Sequence, residues 1–190
     1  MSDPYLLPRT HVLRNKLGLK DAAQLDYVER ELVTQRMSEG VPEGRFDLVH
    51  LRAIHRHLFQ DLYEWAGELR RVEIAKDGDQ FQFRRFIEAG MADVHARLET
   101  SNYLRGLGQG EFAREAGRTI GDLNYIHPFR DGNGRVQLQY LRLLAENAGH
   151  NVDLSRIGAA RWLEASKAAF RADYGPMAAE INRIIAPSLP

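Results

Sequence analysis

His127-Pro128-Phe129-Arg130-Asp131-Gly132-Asn133-Gly134-Arg135 is the stretch on which the fold of this chain turns. Phe112, Ala116, Ile120, Leu123 and Ile126 lead into it at helical spacing, and Leu141, Leu144 and Ala148 continue beyond it. Proline disfavours helical geometry in the residue before it, so the first helix is expected to stop near His127. The second is expected to begin around Asn133 to Arg135 and to end at Gly149. The nine residues are therefore predicted to form a loop joining two helices.

The loop concentrates chemical capacity. His127 has an ordinary pKa close to neutral and can accept a proton. Pro128 fixes the exit from the helix, and Phe129 is expected as a buried anchor. Asp131 is a hard oxygen ligand of the kind Mg²⁺ accepts, with phosphate oxygens completing its shell. Gly132, Asn133 and Gly134 can adopt left-handed backbone angles and let a ligand approach the main chain closely. They open a helix whose free N–H groups and dipole favour an anion. Arg135 can add a forked contact to phosphate. Such parts suit holding a polyphosphate while a hydroxyl is deprotonated.

Outward from the loop the pattern stays mostly helical. A helix is predicted over residues 20–37, with Ala23, Leu25, Val28, Leu32 and Val33 as its buried stripe. Gly40 to Gly44, with Pro42, ends it. Asp47 is a good N-cap for a second helix carrying Leu48, Leu51, Ile54 and Leu58. A further helix carries Phe86, Ile87, Met91, Val94 and Leu98. Two more fill the tail, around Ala159–Arg171 and Pro176–Ile185. Only Arg71 to Phe83 breaks the rhythm: alternation on both sides of Asp77-Gly78 predicts a hairpin. Two short strands make no core of their own, so this is a flap on a helical body.

Composition bounds the rest. The 190 residues suit one domain, here 1–190 with a core about 47–150 and C-terminal helices over 158–186. Basic and acidic residues number 26 each, so no nucleic-acid surface is expected. Absence of cysteine excludes disulfides and thiol catalysis. No apolar run approaches membrane-spanning length, so no membrane partner is expected. The opening MSDPYLLPRT lacks a signal-peptide pattern. The expected location is the cytoplasm, or delivery as an effector without a classical signal. His50, His55 and His57 lack metal-ligand spacing and read as ordinary surface or core residues. Gly106, Gly108 and Gly110 follow no strand and read as a connector.

The loop strongly resembles the signature of the Fic (filamentation induced by cAMP) family, His-Pro-Phe-x-Asp/Glu-Gly-Asn-Gly-Arg-x-x-Arg. Asp3-Pro4-Tyr5-Leu6, Arg14-Asn15-Lys16-Leu17-Gly18 and Trp65-Ala66-Gly67-Glu68 also look like cell-filamentation proteins of this family. The resemblance implies an all-α Fic-type domain with a β-hairpin flap over the loop. It implies transfer of a nucleotide monophosphate, usually AMP from ATP, to a Ser, Thr or Tyr hydroxyl of a target protein. His127 would take the hydroxyl proton and Asp131 would hold Mg²⁺. Gly132, Asn133 and Gly134 would form the anion hole, and Arg135 would grip the leaving phosphates. The flap, with Ile74, Ala75 and Lys76, would align the target by strand addition. Lys76 could equally discourage strand aggregation.

One position departs from the signature: Leu138 stands where the second arginine is written. A charged hydrogen bond of that kind contributes about 1.5–3 kcal/mol. Three expectations follow: a slower AMP transferase, a different nucleotide or phosphorylated donor, or a nearby arginine filling the gap. A catalytically weakened binding protein is the alternative. Fic relatives are often restrained by a Ser/Thr-x-x-x-Glu-Gly/Asn helix. Here Gln35 stands four residues before Glu39-Gly40, and Glu180-Ile181-Asn182 fits no better. A separate small antitoxin is therefore the expected partner, with this chain the toxin of the pair.

Overall fold

The structure, a computed structural model, describes residues 3–186. The expected domain bounds of 1–190 thus run at both ends into residues outside those described. Among the described residues seven α-helices dominate: α1 (Ala22–Ser38), α2 (Leu48–Phe59), α3 (Ile87–Thr100), α4 (Gln109–Ile126), α5 (Asn133–Ala148), α6 (Ala159–Phe170) and α7 (Gly175–Ile184). Strands β1 (Ala75–Lys76) and β2 (Asp79–Gln80) pair antiparallel, Ala75 opposite Gln80 and Lys76 opposite Asp79. This is the expected helical fold with a hairpin flap.

Local chemistry sets the helix ends. The Asp21 and Asp47 carboxylates accept the Gln24 and His50 N–H groups, each at 2.8 Å, and so cap α1 and α2. Gly149 ends α5 in the left-handed region. α4 is the central element, touching α3, α5, α6 and α7. It buries Phe112, Ala116, Ile120, Leu123 and Ile126, the residues its periodicity marks. A Cβ at Gly117 would fall 2.8 Å from the Ala178 backbone nitrogen, and one at Gly121 2.6 Å from the Tyr174 ring. These two glycines, one turn apart, admit α7 and the residue before it against α4.

α1 packs on α2, and α2 on α5. Arg36 on α1 grips the Asp61 carboxylate through Nε and Nη2 at 2.7 and 2.8 Å. His57 donates Nε2–H to the Arg36 carbonyl at 2.8 Å. The expected stripe on α1 needs correction. Its buried row is Leu25, Glu29 and Val33, whereas Ala23 is exposed and Val28 and Leu32 are half-buried. Spacing of four places a glutamate between two core residues.

The hairpin also differs from expectation, since only four residues pair. Asp77 and Gly78, at φ 52° and 89°, make the predicted two-residue turn. The Phe81 N–H still reaches the Ile74 carbonyl at 3.2 Å, but the Gln82 N–H turns away to the Tyr125 carbonyl on α4 at 3.0 Å. Docking of the flap root on α4 replaces further strand pairing.

Candidate active site

His127 ends α4 in the left-handed region, at φ 45° and ψ 61°. That conformation costs a non-glycine residue about 1–2 kcal/mol, and it turns the chain out of the helix in front of Pro128. The ring is fixed on two sides. Nδ1 lies 3.0 Å from the Asn124 carbonyl, an acceptor, so Nδ1 carries the proton and Nε2 keeps its lone pair. Phe81, from the flap, stacks on the imidazole at 3.8 Å between centroids and 20° between planes. Burial pushes the His127 pKa down to about 4, helped by the Arg70 charge and opposed by the Asn124 carbonyl. The imidazole is therefore neutral at neutral pH, with Nε2 ready to take a proton.

Three buried polar side chains hold the loop's backbone. Arg70 donates to the carbonyls of His127 (2.8 Å), Val72 (2.9 Å) and Gln82, and its own N–H reaches the Pro128 carbonyl at 2.9 Å. It thereby covers a carbonyl left free by the end of α4 and ties the flap to the loop. His55 accepts the Gly67 N–H at Nδ1 (2.8 Å) and meets the Asp131 carbonyl through Nε2 (3.1 Å). Its ring stacks on Phe129 at 3.9 Å, and burial pushes its pKa down to about 3. Asn133 closes the loop on itself, its amide bonding the N–H and C=O of Phe129 at 3.0 and 2.9 Å. Phe129 is fully buried, as expected of the anchor.

α5 begins at Asn133, within the expected range. Of Gly132, Asn133 and Gly134, only Gly132 is left-handed, at φ 80°; Asn133 and Gly134 already lie in the first turn of α5. A Cβ at Gly132 would strike the Phe59 ring at 2.4 Å, while one at Gly134 would meet nothing within 4 Å. Gly132 is thus needed for shape and angle, and Gly134 faces open space. The Gly132 N–H points to the Asp131 carboxylate at 2.5 Å. No side chain caps α5, which leaves the N–H groups of its first turn for an anion.

Asp131 is half-exposed and is the loop's only carboxylate. Arg135 lies over the Phe59 ring at 4.7 Å, with Nη2 3.5 Å from Asp131 and 2.5 Å from Glu29 of α1. Leu138 is half-buried one turn further along α5. Arg142 does not fill its place, since it pairs with Gln139 (3.2 Å) and Glu146 (2.8 Å). In the flap, Ala75 and Lys76 are exposed and Ile74 half-buried, and β1 has no neighbour on its outer side among the described residues. Glu180 pairs with Arg161 and Arg183, each at 2.8 Å, within the C-terminal helices.

Sequence patterning does not single out Arg70, Glu29, His55 or Phe81 as parts of this site. The readable signal was a charge on a buried helix row for Glu29; the others need the fold. Two grooves of about 400 and 410 Å³ lie by α2 and the N-terminal turns, lined by residues such as Lys16, Arg52 and Arg56, or Tyr5 and Arg71. Neither includes His127 or Asp131. No described helix is long and apolar enough to cross a membrane.

A model of the Fic/DOC family matches residues 45–145. Probable protein adenylyltransferase y4lH of Sinorhizobium fredii is 40% identical over 186 residues, covering 97% of this chain and 97% of that protein. Protein adenylyltransferase VbhT of Bartonella schoenbuchensis is 39% identical over 185 residues. That match covers 96% of this chain but 39% of VbhT. Among solved structures, the translocated effector BepC of Bartonella tribocorum, with AMPPNP bound, has a TM-score of 0.88 at 29% identity, covering 97% of each chain. The matches run along almost the whole length, and the chain belongs to the Fic/DOC family.

Proposed function

We propose that this protein is a protein adenylyltransferase that moves AMP from ATP to a Ser, Thr or Tyr hydroxyl of a target protein. One observation carries the reading: a neutral His127 with Nε2 free stands beside the uncapped N-terminus of α5. The names of the relatives support it, as does the nucleotide analogue bound to BepC. In the reaction the target oxygen attacks the α-phosphorus and its proton passes to His127 Nε2. The new O–P bond forms as the bond to the β-phosphate oxygen breaks, and pyrophosphate leaves. N–H groups of the first turn of α5 hold phosphate oxygens, with Arg135 beside them. The open edge of β1, with Ile74, Ala75 and Lys76, receives an extended target segment.

No cluster of three His, Asp or Glu that could hold a metal exists among the described residues. Asp131 alone still suits Mg²⁺, which takes one or two carboxylates and fills its shell with phosphate oxygens and water. When bound, the ion would neutralise charge on the phosphates. Asp131 would hold it while His55 fixes the backbone of that residue from behind. We extend the proposal to regulation: without an inhibitory motif in the chain, restraint falls to a separate small antitoxin.

A second reading, a partner-binding protein without turnover, is favoured by Leu138 and by the engagement of Arg142 elsewhere. Mass spectrometry of a cell extract incubated with the protein, Mg²⁺ and each of ATP, GTP, UTP and CTP separates the two. The enzyme reading expects one nucleotide monophosphate on a hydroxyl residue, with the rate lowered about 10²–10⁴-fold in His127→Ala. An adduct seen only with Leu138→Arg would identify a competent loop silenced at that position. No adduct from either protein would defeat the enzyme reading.

A further inference from the structure

Glu29 lies on α1, outside the family-matched residues 45–145, yet its carboxylate reaches the loop. It is 8% exposed, in the same row as buried Leu25 and Val33. Its two oxygens are used separately. Oε1 pairs with Arg135 Nη2 at 2.5 Å, and Oε2 accepts the hydroxyl of buried Tyr63. Burial and the neighbouring carboxylate raise the Tyr63 pKa, so the phenol remains a donor. A buried carboxylate without its partner is costly, which explains why such a group is paired twice.

The consequence falls on Arg135. Without α1 it would be a half-exposed side chain restrained only by Phe59 and by Asp131 one turn before it. A mobile guanidinium must lose rotamer entropy whenever it meets a phosphate. Glu29 removes that freedom beforehand, while Arg135 Nε and Nη1 make no hydrogen bond within the described residues. From this geometry we infer that Glu29, braced by Tyr63, is a positioning residue that holds Arg135 in place for the nucleotide phosphates. This inference rests on the nucleotidyltransferase reading of the loop.

The test compares Glu29→Gln with the wild type, each with Arg135 intact and with Arg135→Ala. Gln keeps the volume and an acceptor for Tyr63 but removes the charge facing Arg135. Side-chain NMR of Arg135 Nε–Hε, nucleotide-transfer kinetics and thermal melting are read on the same proteins. The expected result is an ordered Arg135 guanidinium in the wild type and a mobile one in Glu29→Gln. The variant should show kcat lower by about 10- to 100-fold, by analogy with removal of the partner that orients a metal ligand. The effect on KM should be smaller, and Glu29→Gln should have no further effect on kcat once Arg135 is Ala. An equally large fall in the Arg135→Ala background, or a fall matched by loss of folded protein, would overturn the inference. An Arg135 that stays ordered in Glu29→Gln would overturn it too, even in a protein that transfers no nucleotide. A wild type with ordered Arg135 but no transfer would instead count against the activity.

Discussion

With Nδ1 turned to the Asn124 carbonyl, the proton-accepting atom of His127 is assigned by a hydrogen bond rather than by titration. The base form is the neutral one, and the folded pKa of about 4 lies below the ordinary 6.5. Transfer should therefore stay level from pH 7 to about pH 5 and fall as the pH passes about 4. An unperturbed histidine would lose half its base form near 6.5. A kcat/KM profile against pH checks the position of the acid limb. Stability follows the same sign. Between the folded and unfolded pKa values the unfolded chain binds more protons, so stability rises with pH. The contributions of His127 and His55 are full above about 6.5 and are lost as pH falls toward about 4 and about 3. The slope of melting temperature against pH should be shallower in His127→Asn. At this scale the loop's shape was legible from residue types: the anchor Phe129 is fully buried, and His127 ends its helix before Pro128 as expected. The Asn124 carbonyl that assigns the tautomer, and the burial that with the Arg70 charge lowers the pKa, are not revealed by spacing alone.

Besides the Phe81–His127 stack and the Gln82 bond to Tyr125, one buried side chain couples the helix–loop–helix to the flap. Arg70 is 3% exposed and spends its donors on carbonyls of the loop and of both arms of the flap and on the Glu73 carboxylate at 3.1 Å. Its replacement by Met would leave those carbonyls without a partner, at about 1–3 kcal/mol for each that stays dry. Arg70→Met should lose about 3 kcal/mol or more in urea unfolding, and it should slow transfer beyond what the folded fraction explains. A variant unfolding like the wild type would show that water replaces the arginine. Helices were readable because their apolar periodicity is the same signal that buries them: α4 buries every residue of its predicted face, and α2, α3 and α5 bury most of theirs, while Leu48 and Ala148 are half-buried and Phe86 stands exposed in the turn before α3. The flap was readable as a turn but not in extent. Val72 and Ile74 alternate with polar residues because they rest half-buried on the body, a pattern that imitates a longer strand. In α1 a glutamate on the buried row breaks the apolar count, so the periodicity points to a broader stripe than the one buried.

Across the whole molecule, the stretch that carries the family match cannot bury itself. Residues 45–145 contain α2 to most of α5, but α1, α6 and α7 cover them from outside. Met177, Ile181 and Ile184 of α7 are fully buried, and α7 packs on α4. A fragment of residues 45–145 should expose the Gly117–Gly121 face of α4 and the α2 surface that receives Leu25 and Val33. It should show helical circular dichroism without a sharp thermal transition, whereas residues 3–186 should melt cooperatively. A cooperative melt of the fragment would refute this division of labour. For anyone recombining such proteins, the carboxylate that α1 brings to Arg135 sets a practical boundary. A chimera that transplants the nine-residue motif but keeps a foreign first helix inherits the letters of the site without the brace behind its arginine. Crossover points are better chosen before residue 21 than at residue 45.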